Sequence, residues 1–454
     1  MLTYQLHKAP GQPLYEALYR CIREDILSGK LSPGEKLPSK RALAAHLEVS
    51  KITVEGAYNQ LLAEGYLCSR EKVGYFVENV ERMPQKESLQ SNPPAPEETG
   101  IDLTANGPTN FPFSVWSKLQ REVMLDLGAK LLLPLPNQGL WELRQAIARH
   151  LAQFRGMQVQ PENILIGAGT DFLYNLLIQL LGREKCYAVE EPGYGKIRKI
   201  YAAGGVECIS AAMDAAGVLP ESLEKAQVLH ISPSHHFPTG LVTPVSRRQA
   251  LLQWASEGKW IIEDDYDSEF RFHARPMPTM QSLDRQGRVI YMNTFSKTLA
   301  PSIRISYMVL PPALMGEFLQ RLGFYSCTVP SFEQYTLARF LNEGHFEKHI
   351  NRMRKFYKQR RNRILSAIQS CPQAERITIR EENAGLHFLA KVDGELTDEA
   401  LVARCAEKGI RVRSLSSYYH GPVPEQDKGF LVINYSGLSD DHMQALEHIL
   451  NKGI

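Results

Sequence analysis

At 454 residues the chain exceeds what one hydrophobic core ordinarily organises, so two or more domains are expected. It is 43% apolar and 22% charged with a formal net charge of +2, the balance of a globular protein, so total charge gives no argument about nucleic acid. The start "MLTYQLHKAP" lacks a secretory pattern, and no apolar run approaches the roughly 20 residues that cross a bilayer. The seven cysteines are scattered without a CxxC pair, which excludes a disulfide framework and a cysteine zinc site. A reducing cytoplasm, no membrane and no metal are therefore the expectations.

"PLYEALYRCIREDILSG" places Leu14, Leu18, Ile22 and Ile26 at helical spacing, with Gly29 as a stop. Ser39 can cap a short helix, "KRALAAHL". After the turn "EVS", Ser50 can cap a second, "KITVEGAYNQLLAEG". Two short helices joined by a tight turn form a helix-turn-helix, whose second helix enters the major groove by its first residues, here Lys51, Ile52 and Thr53. "YLCSREKVGYFVEN" reads as a two-stranded wing tipped by Lys72, Val73 and Gly74. Residues 1–79 carry 10 Lys/Arg against 9 Asp/Glu, so a DNA-binding reading rests on local cations such as Lys36, Lys40, Arg41 and Lys51. From pattern alone, a helical protein-interaction module remains open.

Residues 78–100, "ENVERMPQKESLQSNPPAPEETG", are rich in Pro, Glu, Ser and Gln and read as a linker. Beyond it, "NILIGAG", "CYAVEEP", "VLHISPS", "KWIIEDD" and "RVIYMNT" are candidate buried strands separated by helical segments. That alternation predicts a mostly parallel, doubly wound α/β sheet, with ligands at the carboxyl ends of its strands.

The polar clusters at those ends can be weighed as chemistry. Lys297, in "NTFSKTLAPSIRISYMVLP", is either a surface lysine or a Schiff-base lysine, and the latter needs an aldehyde cofactor held by other groups. Pyridoxal phosphate requires an anion at its pyridine nitrogen and a phosphate cradle. "IIEDDYDSEF" offers Asp264 and Tyr266, although "DDYD" alone is more often a solvated acidic turn. "LIGAGTDFLYNLL" offers Gly169 and Thr170 at a helix start that suits a phosphate dianion, or an ordinary strand-to-helix connection. Thr294, Ser296 and Arg304 flank the lysine, and "EEPGYG" holds Tyr194 in a turn.

The N-terminal stretch "LPSKRALAAHLEVSKITVEGAYNQLLAEGYL" with "VGYFV" resembles the winged helix-turn-helix of GntR-type bacterial regulators. That resemblance implies DNA contacts at Ser39, Lys40, Arg41, Lys51, Thr53, Lys72 and Gly74, with Lys51 standing where arginine is more usual. The ordered set of glycine loop, aromatic turn, Asp-x-Tyr and Ser-Lys resembles the fold-type-I aminotransferases across residues 101–454, including "FPFSVW", "GLWELRQAIARHLAQFRGM", "SPSHHFPTG" and "NAGLHF". A GntR-type head on this body is the architecture of MocR-type regulators, and the chain is identified as a member. This implies a head over 1–79, a linker over 80–100 and an effector domain over 101–454 with a smaller C-terminal α+β part.

The resemblance further implies an aldimine at Lys297, with Asp264 at the pyridine nitrogen and Tyr266 at the phenolic oxygen. Gly169, Thr170, Thr294, Ser296 and Arg304 would surround the phosphate, and Tyr194 would lie near the ring or the ligand. It implies a homodimer, whose linkers allow swapped heads, and operator DNA with repeated half-sites. Three departures bear on the ligand. Ser416 and Ser417 stand where an arginine for the ligand carboxylate is expected, with Arg413 just upstream. Lys196 replaces an arginine, and His236 a glutamine, while "SIRIS" has serines in place of glycines. Three functions follow: a regulator sensing an amino compound or pyridoxal phosphate; a working aminotransferase carrying a DNA-binding head; and a regulator whose large domain only dimerises.

Overall fold

The computed structural model describes residues 2–4, 6, 13–70, 73–80, 100–105, 110–256, 258–270, 277–380 and 385–452. The chain divides into two compact units, Met1–Glu97 and Glu98–Ile454. Residues 81–99, most of the expected linker, and Lys72 lie outside the described residues.

In the first unit, α1 (Leu14–Ser28) turns Leu18, Ile22 and Ile26 into the core at a four-residue spacing, while Leu14 is only half-buried. Gly29, at φ 80°, ends it in the left-handed conformation that glycine adopts without strain. Short α2 (Lys40–His46) and α3 (Lys51–Ala63) start where their caps stand. Ser39 accepts from the Ala42 N–H at 3.2 Å, and Ser50 from the Thr53 N–H at 3.1 Å. Val54, Ala57, Tyr58 and Leu61 of α3 are wholly buried against Leu18 and Ile22. Each such aliphatic side chain contributes roughly 1.5–3 kcal/mol. Strands β1 (Leu67–Arg70) and β2 (Gly74–Val77) pair antiparallel as the wing.

The second unit is built on an eight-stranded sheet. Val289–Thr294, Trp260–Asp264, Val228–Ile231, Tyr187–Glu191 and Cys208–Asp214 run parallel in that order. Ile164–Gly167 lies at one edge and the short Gly217–Val218 at the other. All five strands expected from sequence lie in this sheet. They read as unbroken apolar runs because helices cover both faces, as in central Val228–Ile231 and even the edge strand Ile164–Gly167, where every residue is buried. Three strands were not foreseen: Cys208–Asp214, Gly217–Val218 and Ser306–Val309, the last running antiparallel between Ile164–Gly167 and Val289–Thr294. The chain after Lys297 therefore returns directly beside the strand it left. A second, four-stranded antiparallel sheet of Ile377–Arg380, His387–Val392, Phe430–Asn434 and Arg413–Ser414 packs with the helices His345–Ser370 and Asp440–Lys452.

Candidate functional site

In the first unit the polar groups gather at the start of α3. Lys51 and Arg41 are exposed, and Thr53 is half-buried with its hydroxyl 2.8 Å from that of Ser50. Ile52, second in α3, is 79% exposed, which no packing within the unit accounts for. Gly74 at the wing, φ 135°, lies over the Lys36 stem, where a Cβ would come within 3.1 Å of Cε. Lys40 differs from its neighbours. Its ammonium sits 2.8 Å from Glu55 and over the Tyr75 ring, so its charge is already neutralised locally.

In the second unit one cavity of about 450 Å³ collects most of the expected residues. Trp260–Asp264 ends by presenting Asp264, whose Oδ2 accepts from the Tyr174 hydroxyl at 2.5 Å and lies 3.6 Å from His230 Nε2. Its Oδ1 is buried and unpartnered. The adjacent Asp265 is held differently: its Oδ2 receives Arg155, Ser268 and Tyr291 at 2.7–2.9 Å, so it braces the core instead of facing the cavity. Tyr266 lies beneath Lys297, whose Nζ is 6.0 Å from the ring centre. Burial lowers the Lys297 pKa to about 8, with Asp267 and Asp264 acting the other way.

Opposite stands the start of the helix Thr170–Leu181. Gly169, φ 89°, lies directly under the Arg304 guanidinium, where a Cβ would fall 2.2 Å from Nη2, so only glycine fits. Arg304 itself adopts the left-handed conformation, φ 50°. Thr294 Oγ1 accepts from the Ser296 N–H and the Ser306 hydroxyl, while Ser296 Oγ is buried without a partner. Lys196 and Arg304 both lie on Asp171 Oδ2, at 2.7 and 3.4 Å. Lys196 is thus held by a carboxylate of the chain itself. Arg413 also lines the cavity and pairs with no carboxylate among the described residues. Ser416, by contrast, bonds the Ser414 hydroxyl and Ser417 the Ser414 carbonyl, local turn contacts only.

Sequence reasoning passed over several residues. Tyr174, four positions after Thr170, braces Asp264, while His230, inside the apolar run "VLHI", holds its Nδ1 2.6 Å from the Tyr201 hydroxyl and brings Nε2 within 3.6 Å of Asp264. His235 bridges Asp267 at 2.9 Å and the Tyr266 hydroxyl at 3.3 Å. His236 faces Glu190 at 3.5 Å, yet burial lowers its pKa to about 3 and raises that of Glu190 to about 8. Both are neutral at pH 7, so this contact is no ion pair. Only periodic helix spacing pointed to Tyr174; His230 and His235 carried no local signal, and His236 stood out in the sequence only as a replacement for glutamine.

A mostly parallel sheet with a half-buried lysine, a carboxylate at a strand end and a helix N-terminus at one cavity is the arrangement expected of a class I and II aminotransferase domain. The model of that family, described as "Aminotransferase class I and II", matches residues 98–449, and that of "Bacterial regulatory proteins, gntR family" matches residues 14–77. The HTH-type transcriptional regulator YdeL of Bacillus subtilis is 37% identical over 97% of both chains. The probable rhizopine catabolism regulatory protein MocR of Rhizobium meliloti is 32% identical over 95% of this chain and 92% of its own. Among solved structures, kynurenine aminotransferase of Pyrococcus horikoshii is 26% identical, with a TM-score of 0.67 over 78% of this chain and 90% of that one. The chain belongs to the MocR-type transcriptional regulators, a GntR-type head joined to an aminotransferase-like domain.

That domain implies pyridoxal phosphate, and the residues present fit it. Asp264 Oδ1 and Ser296 Oγ are buried polar atoms lacking partners, and the glycine floor under Arg304 leaves room at a helix N-terminus that no side chain could share.

Proposed function

We propose that this regulator holds pyridoxal phosphate at Lys297 and uses it to register an amino compound, or the cofactor itself, and so alters its grip on DNA. The observation that carries the reading is Lys297, with a pKa near 8 beside Asp264 in the enclosed cavity. Bound pyridoxal phosphate supplies an aldehyde that condenses reversibly with primary amines. The chain's residues divide the work of holding it. Lys297 gives an amine that is unprotonated in useful fraction near neutral pH. Asp264 would offer an anion to the pyridine nitrogen, steadied by the Tyr174 hydroxyl. Tyr266 would face the phenolic oxygen, Gly169, Thr170, Thr294, Ser296 and Arg304 would surround the phosphate, and Tyr194, 50% exposed, would lie near the ring or the ligand.

Residues 1–79 serve as the DNA-binding head, 80–100 as linker and 101–454 as effector domain, in the cytoplasm. Operator contacts fall to Ser39, Arg41, Lys51, Thr53, Lys72 and Gly74, with Lys40 orienting α2 through Glu55. Leu125, Leu132 and Leu133, each more than 60% exposed, support a homodimer, since apolar surface of this kind is ordinarily covered. Dimeric heads would meet repeated half-sites.

The lowered Lys297 pKa also suits a proton-shifting base, so a working aminotransferase is the second reading. One experiment separates them: the visible spectrum of the loaded protein during titration with amino acids and amines, with keto acid measured in parallel and operator affinity before and after. A spectral change that alters DNA affinity with no keto acid supports the sensor; stoichiometric keto acid and a converted cofactor make the enzyme primary.

A further inference from the structure

The cavity's charges narrow what amine it accepts, and this inference rests on the sensor reading just given. Five cationic side chains line it: Lys196, Arg198, Lys297, Arg304 and Arg413. Lys196 and Arg304 share Asp171. Arg198 is fixed to the Cys208 carbonyl at 2.9 Å and the Ser210 hydroxyl at 2.6 Å, with Glu191 at 3.8 Å. Lys297 is the attachment point. Arg413, hydrogen-bonded to the Tyr418 hydroxyl, is the one lining cation besides Lys297 without an anionic or carbonyl partner among the described residues, so the cavity can pair one ligand carboxylate and has no second cation for a side-chain acid.

The anions are equally committed. Asp171 holds two cations, Asp264 and Asp267 are braced by Tyr174 and His235, and Glu190 is neutral near pH 7. Glu191 at the rim accepts the His420 and Gly421 N–H groups at 2.9 and 2.6 Å. A basic side chain on the ligand would therefore meet no free carboxylate.

What remains is aromatic. Phe237 stands at the centre of an edge-to-face cluster, 5.9 Å from Tyr194, 5.2 Å from Tyr418 and 5.0 Å from His387. All four rings line the cavity, and Tyr418 adjoins Arg413. Burial lowers the His387 pKa far below its usual range, so its ring is neutral and behaves as one more flat wall.

We infer that the effector is a neutral amino acid with an aromatic side chain, its amine at Lys297, its carboxylate at Arg413 and its ring among Phe237, Tyr418 and Tyr194. Ring burial of this kind favours an aromatic ligand over alanine by roughly tenfold or more.

The test uses the full-length protein loaded with pyridoxal phosphate, read by visible absorption and by thermal shift. The probes are L-phenylalanine, L-tyrosine, L-tryptophan, L-alanine, L-glutamate, L-lysine and tyramine. The inference expects the aromatic amino acids to half-saturate the spectral change at least tenfold below alanine, glutamate and lysine. Phe237→Ala should compress that gap, and Arg413→Gln should weaken phenylalanine more than tyramine, which lacks a carboxylate. Glutamate or lysine acting below phenylalanine would overturn it, as would a gap untouched by Phe237→Ala. If alanine responds but aromatic ligands gain nothing, the ligand class fails and the sensor reading stands. If the cofactor is bound and no amine moves spectrum or melting temperature, the sensor reading itself fails.

Discussion

In the head, the groups proposed to meet DNA stand, apart from Lys72 and Gly74 at the wing, on one short stretch from Ser39 to Thr53, capped by hydroxyls three residues from the N–H groups they satisfy. In the body, the cavity draws on Gly169–Thr170, Tyr194, Asp264–Asp267, Thr294–Arg304 and Arg413, parts of the chain far apart in sequence. The head site is exposed and its energetics are those of screened surface charge. The floor of the body site is buried, and burial sets the protonation of groups such as Lys297 and Glu190 there. A local site tolerates single losses by degrees; an assembled one depends on groups that compensate one another, as Asp171 does for two cations.

The largest effect expected is Lys297→Ala, which should abolish covalent retention of pyridoxal phosphate, seen as loss of visible absorption after gel filtration with melting temperature of the empty protein little changed. In the wild type, the rate of covalent loading should rise as pH increases through about 8, because the lowered Lys297 pKa frees the amine there. Asp264→Asn should leave the fold intact but weaken cofactor binding by roughly tenfold to a hundredfold, the worth of one charge-assisted hydrogen bond, measured by equilibrium titration.

The head should behave more gently. Lys51→Ala should weaken operator binding several-fold and reduce the slope of log affinity against log salt by about 1. Lys40→Ala should leave that slope unchanged, since its ammonium is paired with Glu55; an equal slope loss in both variants would erase the distinction drawn between them.

Glu190 gives a pH test of the enclosed site. Its pKa rises from 4.5 to about 8 through burial, so the folded state holds a proton that the unfolded state releases. That contribution to stability is complete below pH 4.5 and lost as pH rises through about 8. Glu190→Gln should therefore flatten the fall in melting temperature between pH 6 and 8.5 in the cofactor-free protein. The smallest effect is at Ile52, where Ile52→Ala should cost roughly fourfold in operator affinity if its exposed side chain meets a base methyl, and nothing in folding stability.

The same contrast explains what the sequence revealed. The head was readable because Ser39, Ser50 and Gly29 act on their own neighbours, and the apolar period of α1 is fixed by one helix. Strand-end clusters such as Asp264 and Lys297 were readable because parallel sheets expose those ends. The antiparallel return Ser306–Val309 was hidden, since "SYMV" reads like any short apolar run and its direction is set by pairing. Likewise the pairing of Lys196 with Asp171, 25 residues away, and of Arg155 with Asp265 could be known only once the fold brought them together.

That return strand has a mechanical consequence. Thr294 and Ser306 face each other in register, and the Ser306 hydroxyl donates to Thr294, so the segment bearing Lys297 leaves and re-enters the sheet at a single rung. Ser306 is in turn paired with Gly167, two residues before the glycine beneath Arg304. A pull on the lysine is therefore borne by the strand that feeds the helix Thr170–Leu181, and the lysine segment and the glycine turn strain or relax as one piece.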